Sequence, residues 1–257
     1  MECYTVIRGR RASSTNPTPV VSYLFFDTET TGLPEDKTAP TTDTDNWPRI
    51  VQIAWCQVSI SSDHIGDVET RIVRPDGFRI PHEAESVHNI STEQASREGA
   101  PLSKVLKAFL GDVKGCEKLV AHNATFDKSV VGAEFVRTIG VDPLDSIPSI
   151  CTMKRSEIFC GKSNYFGYRY PSLQELHETL FGCQFDNAHD AGTDVKAGAR
   201  CLLELSRQDI IAASECIQPP KQEENLLSCD KNSAEDQSPF EELERFTRPQ
   251  SSNSPSG

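Results

Sequence analysis

Long apolar segments are missing from this sequence. No stretch of the 257 residues approaches the run of about 18 apolar residues that a membrane-spanning helix needs. Residues 1–20 also lack the apolar h-region of a secretory signal. We therefore expect no membrane association and an intracellular protein, cytoplasmic or nuclear. Arg8, Arg10 and Arg11, followed by Ser13 and Ser14, leave organelle targeting open.

Closely paired cysteines are missing as well. The sequence contains nine cysteines, an odd number, and none of them forms a C-x-x-C pair. Zinc ribbons and dithiol redox sites depend on such pairs, so the pattern argues against both. Widely spaced single cysteines are typical of reduced, mostly buried thiols in an intracellular protein.

Positive charge is in deficit, with 26 basic against 38 acidic residues and a formal net charge of −12. This balance argues against a protein that grips a long duplex through a broad basic face. It does not exclude a nuclease. An enzyme that takes only a strand end needs few phosphate contacts, and bound divalent cations supply positive charge themselves.

Strand-like and helix-like segments alternate between residues 21 and 214, which predicts one α/β domain with a mixed sheet. Three apolar segments come first and predict an antiparallel meander of strands at 21–28, 49–60 and 68–73. Helix, strand, helix and strand then follow, an order that implies parallel pairing. These predicted elements lie at 101–110, 119–122, 126–136 and 149–152.

Capping signals mark two further helices. Ser172 and Glu175 form a capping box, and Gly182 predicts the end of that helix. Asp190 is the predicted N-cap of the last helix, whose apolar positions include Val195 and Leu202.

The two ends of the chain differ from the domain in composition. We expect residues 1–20 to form a disordered arm and residues 215–257 to form a disordered acidic tail rich in Pro, Ser, Gln and Asn. The SPFEELERF segment of the tail is either a solvated acidic stretch or a short helix that orders on a partner.

The FFDTETTG segment places two carboxylates at the end of an apolar strand. Asp27 and Glu29 are two positions apart, so their side chains leave the same face of the strand. They could converge on one cation, and carboxylate oxygens suit Mg²⁺ or Mn²⁺. The same pattern is also common at strand ends that merely meet water.

The LVAHNATFD segment adds a third carboxylate. A strand ends at His122, Asn123 is positioned to cap the next helix, and Asp127 falls in its first turn. Taken alone, Asp127 is typical of an acidic residue that complements the helix dipole.

The HDAGTD segment pairs a histidine with a carboxylate five positions later, His189 and Asp194. On one continuous helix the two side chains would point to different faces. They meet if the helix begins between them, which agrees with Asp190 as its cap. Imidazole is suited to take a proton from water near neutral pH.

In combination and order, these three segments resemble the motifs of the DEDD-type 3′→5′ exonucleases of the histidine subclass. The IPHEAESVHNIS segment is similar to the stretch before the second motif in the proofreading epsilon subunit of bacterial DNA polymerase III. The resemblance covers about residues 22–205. It implies a ribonuclease H-like fold, with three antiparallel strands followed by parallel strands and flanked by helices.

The resemblance also implies residue roles. Asp27, Glu29 and Asp194 would hold one divalent metal, and Asp27 and Asp127 a second, for two-metal phosphodiester hydrolysis with Mg²⁺ or Mn²⁺. His189 would be the general base. Five further positions correspond to residues around the terminal nucleotide, namely Thr28, Leu33, His88, Asn123 and Phe126.

The expected reaction removes nucleoside 5′-monophosphates from the 3′ end of single-stranded or frayed DNA. Two alternatives stay open. One is an exoribonuclease of the same family, and the other is a non-catalytic module of a replication complex that binds a polymerase or another replication factor through its C-terminal tail. The loop at 34–48 is longer than in the shortest family members and begins beside the site. Its Trp47 either stacks on substrate or packs against the second strand.

Overall fold

The computed structural model describes residues 22–211. The arm predicted at 1–20 and the tail predicted at 215–257 lie outside the described residues, and so does the partner segment predicted within the tail. The helices and strands are β1 (Tyr23–Thr30), β2 (Ile50–Ser59), β3 (His64–Ile65), β4 (Glu69–Ile72), α1 (His82–His88), α2 (Thr92–Glu98), α3 (Leu102–Val113), β5 (Lys118–Ala121), α4 (Ala124–Ile139), β6 (Ser149–Cys151), α5 (Thr152–Arg155), α6 (Glu157–Cys160), β7 (Ser163–Asn164), β8 (Gly167–Tyr168), α7 (Leu173–Phe181) and α8 (Ala191–Arg207).

The main sheet is mixed, as predicted. β2 pairs antiparallel with β1 and with β4, which confirms the predicted meander, and the short β3 also pairs with β2. β5 pairs parallel with β1, and β6 pairs parallel with β5. The order across the sheet is therefore β3-β2-β1-β5-β6, with β1 in the centre.

The alternating side chains of β1 serve the two faces of the sheet. Leu24 and Phe26 belong to the core cluster that includes residues of α3 and α4. Tyr23 and Phe25 belong to the second cluster, which includes residues of α7 and α8. Because successive side chains of a strand point to opposite faces, the acidic positions Asp27 and Glu29 continue the α8 side.

α8 packs unusually close to the sheet because two of its residues are glycines. A Cβ atom on Gly198 would lie 2.2 Å from the ring of Phe25, and one on Gly192 would lie 2.5 Å from the hydroxyl of Thr70. The missing side chains therefore let the helix backbone approach both β1 and β4. This approach brings the first turn of α8 to the end of β1.

The capping predictions agree with the structure in two of three places. Ser172 and Glu175 make the reciprocal capping box of α7, which ends at Gly182 in the left-handed conformation. The side chain of Asp190 accepts from the Thr193 N–H at 2.9 Å and caps α8. Asn123 occupies the N-cap position of α4, but its side chain makes no capping bond because its backbone (ψ 55°) departs from the extended conformation of a capping residue.

The 34–48 loop is fastened by a buried ionic group. Glu134, which is 1% exposed, accepts from Arg49 Nε at 2.9 Å and from the Ile50 N–H at 3.0 Å. It also pairs with Arg137, whose guanidinium donates to the Trp47 and Thr44 carbonyl oxygens. The loop is thereby tied through its main chain to α4.

Trp47 itself is buried, with 3% of its surface exposed, and it belongs to the same core cluster as Ile50. Its indole N–H donates to the Pro40 carbonyl at 3.1 Å. The packing interpretation of Trp47 is therefore confirmed, and the stacking interpretation is wrong.

The remaining predicted properties concern thiols and membranes. The six cysteines within residues 22–211 are all free, as expected, although only Cys56 and Cys201 are buried. Within the same residues, the helices are too short or too polar to cross a bilayer.

Replacing Gly198 with Ala is expected to destabilise the domain, since the added methyl group would overlap the buried Phe25 ring. Overpacking of this kind costs about 1–3 kcal/mol in the free energy of unfolding. Gly111, in α3, has open space around it, so Gly111→Ala is the matched control and should gain up to about 1 kcal/mol from helix propensity. Urea unfolding measures both variants, and equal stability would contradict the close approach of α8.

Candidate metal centre

The candidate site lies where three elements meet. The C-terminal end of β1 carries Asp27 and Glu29, the first turn of α4 carries Asp127, and the first turn of α8 carries Asp194. His189 precedes α8 in the connecting loop, as predicted, and it is exposed with a left-handed backbone (φ 68°). The structure therefore brings all five predicted metal and catalytic residues to one edge of the sheet.

Asp127 is fixed by the strand beside it. Its Oδ1 atom accepts from the Thr28 N–H at 3.1 Å and from the Thr28 hydroxyl at 2.8 Å. Thr28 lies between Asp27 and Glu29 and points to the opposite face of the strand, which is the face that α4 covers. Thr28 thus contacts a site carboxylate rather than open space, and it is 7% exposed.

Asp194 faces the other side of β1. Its Oδ2 atom accepts from the His189 N–H at 3.1 Å, which fixes the loop that carries the imidazole. Its Oδ1 atom is buried and has no hydrogen-bond partner in the described part of the chain. A buried carboxylate oxygen without a donor is costly unless a cation meets it.

Gln52 of β2 anchors the start of α8, a role that the sequence did not indicate. Its Nε2 donates to Asp190 at 3.1 Å, and its Oε1 accepts from the Ala191 N–H at 2.8 Å. Gln52 pairs directly with Glu29 across the two strands, next to a register shift between Glu29 and Thr30. The amide therefore sets the position of α8 relative to the carboxylates of β1.

Three ligand atoms come together most closely. One atom each from Glu29, His189 and Asp194 lies within 4.8 Å of the other two. This spacing, the hard oxygen donors and the partnerless Asp194 oxygen all fit a divalent cation. Asp27 completes the charge cluster, because its carboxylate is coupled electrostatically to Asp127, Asp194 and Glu29.

Burial and mutual repulsion raise the pKa values of these carboxyl groups. Burial, followed by the neighbouring carboxylates, raises the pKa of Glu29 to about 8 and holds that of Asp27 well above its usual range. Burial raises the pKa of Asp127 to about 7, against the two hydrogen bonds from Thr28. Burial also raises the pKa of Asp194 to about 6. Without cations, the group therefore keeps protons at neutral pH.

The predicted substrate residues lie in different surroundings. Leu33 is 76% exposed just after β1, Asn123 is exposed, and Phe126 is half-buried against the core. His88 is 5% exposed at the end of α1, and its Nδ1 accepts from the Ile90 N–H at 3.1 Å. Burial lowers the pKa of His88, and the nearby charge of His189 acts in the same direction.

A cleft of about 470 Å³ opens beside this group. Its lining includes Gln52, His88, His189 and Thr193, so the cleft connects α1 and the start of α8. This volume lies within the range of small-molecule binding pockets.

The family comparison matches most of the domain. The family model described as Exonuclease, of the RNase T type, matches residues 24–202. A PolC-type DNA polymerase III of Streptococcus thermophilus is 27% identical over 185 residues, which cover 71% of this chain and 11% of the relative. A DNA polymerase III epsilon-like protein of Rhodobacter capsulatus is 34% identical over 119 residues, which cover 46% of this chain and 15% of the relative.

Solved exonuclease I structures have the same fold, which is ribonuclease H-like as expected. Escherichia coli exonuclease I in complex with a dT13 oligonucleotide has a TM-score of 0.58 at 19% identity, covering 74% of this chain and 42% of that chain. Exonuclease I of Methylocaldum szegediense has a TM-score of 0.59 at 18% identity, with 73% and 41% covered. The chain thus spans under half of these proteins and a small part of the curated relatives.

The raised carboxyl pKa values predict a pH-dependent stability of the metal-free protein. Asp and Glu titrate near pH 4 when unfolded, whereas in the folded protein the pKa of Glu29 reaches about 8. The folded state therefore binds more protons in this window, and its stability falls as pH rises from about 4 to about 8. Added Mg²⁺ or Mn²⁺ should offset the loss, so it should raise the melting temperature more at about pH 8 than at about pH 5.

Asp27→Asn is the matched variant for this experiment because it removes one charge from the cluster and keeps the shape of the side chain. In the metal-free protein it should flatten the pH dependence and raise the melting temperature at about pH 8 by about 2–4 °C per kcal/mol of relieved repulsion. Melting temperatures that change neither with pH nor with added metal would contradict the proposed repulsion among the carboxylates.

Proposed function

The chain belongs to the exonuclease family of the RNase T type, and on that premise we propose that it is a metal-dependent 3′→5′ exonuclease that releases nucleoside 5′-monophosphates from single-stranded or frayed DNA ends. The observation that carries the proposal is the convergence of Glu29, His189 and Asp194 at the end of β1, with ligand atoms within 4.8 Å. A site that had lost its activity would not need to keep buried, mutually repelling carboxylates together.

Two divalent cations, Mg²⁺ or Mn²⁺, are the proposed cofactors. Glu29, Asp194 and Asp27 would hold one, and Asp27 and Asp127 would hold the other. When bound, such cations offset the negative charge that develops on the phosphate oxygens. They also supply the positive charge that a protein of net charge −12 lacks at this position.

The chain's own residues supply the proton transfer and the positioning. The exposed imidazole of His189 takes a proton from the attacking water while the water oxygen bonds to the terminal phosphorus. The bond between phosphorus and the 3′ oxygen of the preceding nucleotide breaks, and that oxygen is protonated from solvent. Thr28 holds Asp127, and Gln52 holds the start of α8, so both act as positioning residues.

The proposed nucleotide contacts follow from the placement of the remaining residues. Leu33 and Phe126 flank the end of β1 and the start of α4, where an apolar side chain can support the terminal base without reading its sequence. His88 supplies a polar group in the lining of the cleft beside the site, and Asn123 supplies one at the N-terminus of α4. The preference for DNA is supported by the polymerase relatives and by the oligonucleotide bound to exonuclease I.

Replacing His189 with Ala is expected to lower kcat by about 10²-fold or more, because general-base catalysis commonly contributes that much. The assay follows a 5′-labelled single-stranded DNA that shortens stepwise from its 3′ end, with Mg²⁺ and with chelator. RNA of the same sequence decides between the DNA and RNA alternatives.

Asp209→Asn, which removes a charge and keeps a polar side chain, is the control for a substitution far from the site. It follows the other end of the 17-residue α8, about 25 Å from the site. Its backbone has a positive φ of 55°, which Asn tolerates. Full activity is expected for this variant. Normal cleavage by His189→Ala, or metal-independent cleavage by the unaltered protein, would overturn the proposed mechanism.

A further inference from the structure

One surface segment outside the metal centre has an unusual composition. Residues 152–171 contain four basic residues and one acidic residue, in a chain whose net charge is −12. They leave the sheet after β6, form α5, α6 and the β7–β8 hairpin, and return at the start of α7. We refer to residues 163–168 as the aromatic hairpin.

Both ends of this segment are fastened beside the metal centre by His122, which follows β5. Its Nδ1 contacts the Thr152 hydroxyl at 3.1 Å, and its Nε2 contacts the Pro171 carbonyl at 3.1 Å. Burial lowers the pKa of His122 to about 4, so the ring is neutral and carries one proton. Because a carbonyl only accepts, Nε2 carries that proton and Nδ1 accepts from Thr152.

The hairpin exposes its aromatic side chains instead of burying them. Tyr165 is 96% exposed and Phe166 is 91% exposed, and their rings contact each other with centroids 5.4 Å apart. Tyr168 and Tyr170 add two further exposed rings. An exposed apolar cluster of this size commonly marks an interaction surface.

Basic groups flank the rings along the chain, and one of them lies beside the metal centre. Lys154 Nζ donates to the Thr125 hydroxyl at 3.2 Å, which places its charge at the first turn of α4, two positions before Asp127. Lys162 precedes the hairpin, and Arg169 follows it. Arg169 is held by Glu175, with one N–O distance of 2.8 Å, and this pairing stiffens the base of the hairpin.

We propose that the aromatic hairpin binds the part of a single-stranded DNA that lies upstream of the terminal nucleotide, with bases stacked on Tyr165 and Phe166 and phosphates near Lys154 and Lys162. The inference rests on the proposed function and extends it. Aromatic rings combined with basic side chains suit single strands, because every base has a face to stack and every linkage has a negative charge.

The test compares a strand of about 16 nucleotides, long enough to reach such a platform, with a dinucleotide that occupies the metal centre alone. The variant replaces both Tyr165 and Phe166 with Ser, and the matched control is Val141→Ser, an exposed apolar residue after the far end of α4. The expected result is a KM for the long strand raised by about 30-fold or more with kcat unchanged, because two stacking contacts are lost. Dinucleotide kinetics should not change.

Binding without cleavage provides a second readout that is independent of the proposed function. Fluorescence anisotropy of a labelled strand in chelator should show the same loss of affinity, about 30-fold or more, for the double variant and none for the control. If the unaltered protein cleaves nothing, the proposed function fails, and the anisotropy still decides the inference. Equal affinities of the variant and the unaltered protein would overturn the inference while leaving the nuclease in place. If the unaltered protein self-associates, the double variant does not, and both bind the strand equally well, then the hairpin binds a second copy of this chain instead of DNA.

Discussion

Repulsion among four crowded carboxyl groups is the constraint on which the site depends. Asp27, Glu29, Asp127 and Asp194 come from three separate elements, and each lies where burial penalises its charge. The packing of the sheet must supply the free energy that keeps them together, since the group opposes its own assembly when its members ionise. Bound divalent cations attract these carboxylates and offset their mutual repulsion. Metal binding would therefore favour the folding of this edge of the sheet.

The surrounding structure offsets the repulsion with contacts that fix the ends of the elements that carry the carboxylates. Gln52 joins β2 to the start of α8, and Thr28 joins β1 to α4. Gly198 lets α8 approach β1 closely enough for Asp194 to reach the same edge. Each of these contacts joins residues far apart in the chain. The geometry of the site therefore depends on the packing of the whole domain rather than on one loop.

Local rules explain which features could be predicted from the sequence. The strands of the meander, the capping box at Ser172 and the cap at Asp190 depend on neighbouring residues, and all three predictions are confirmed. The short elements between 82 and 98 and between 152 and 168 carry too few residues for a periodic signal. Gln52 was missed because it lies within a continuous apolar strand and its partners are more than 130 positions away. The domain limits and the roles of the site residues stay predictions.

The attachment of the 34–48 loop has a consequence for how such a domain diversifies. Arg137 grips carbonyl oxygens of Thr44 and Trp47, and Glu134 holds the backbone N–H of Ile50. Main-chain atoms are the same whichever side chains the loop carries. Exposed side chains of the loop that hold no other part of it, such as Glu35 and Lys37, can therefore be exchanged without loosening the anchor. The exposed positions of this segment, which follows β1 closely in the chain, are therefore where changes of sequence should cost the fold least.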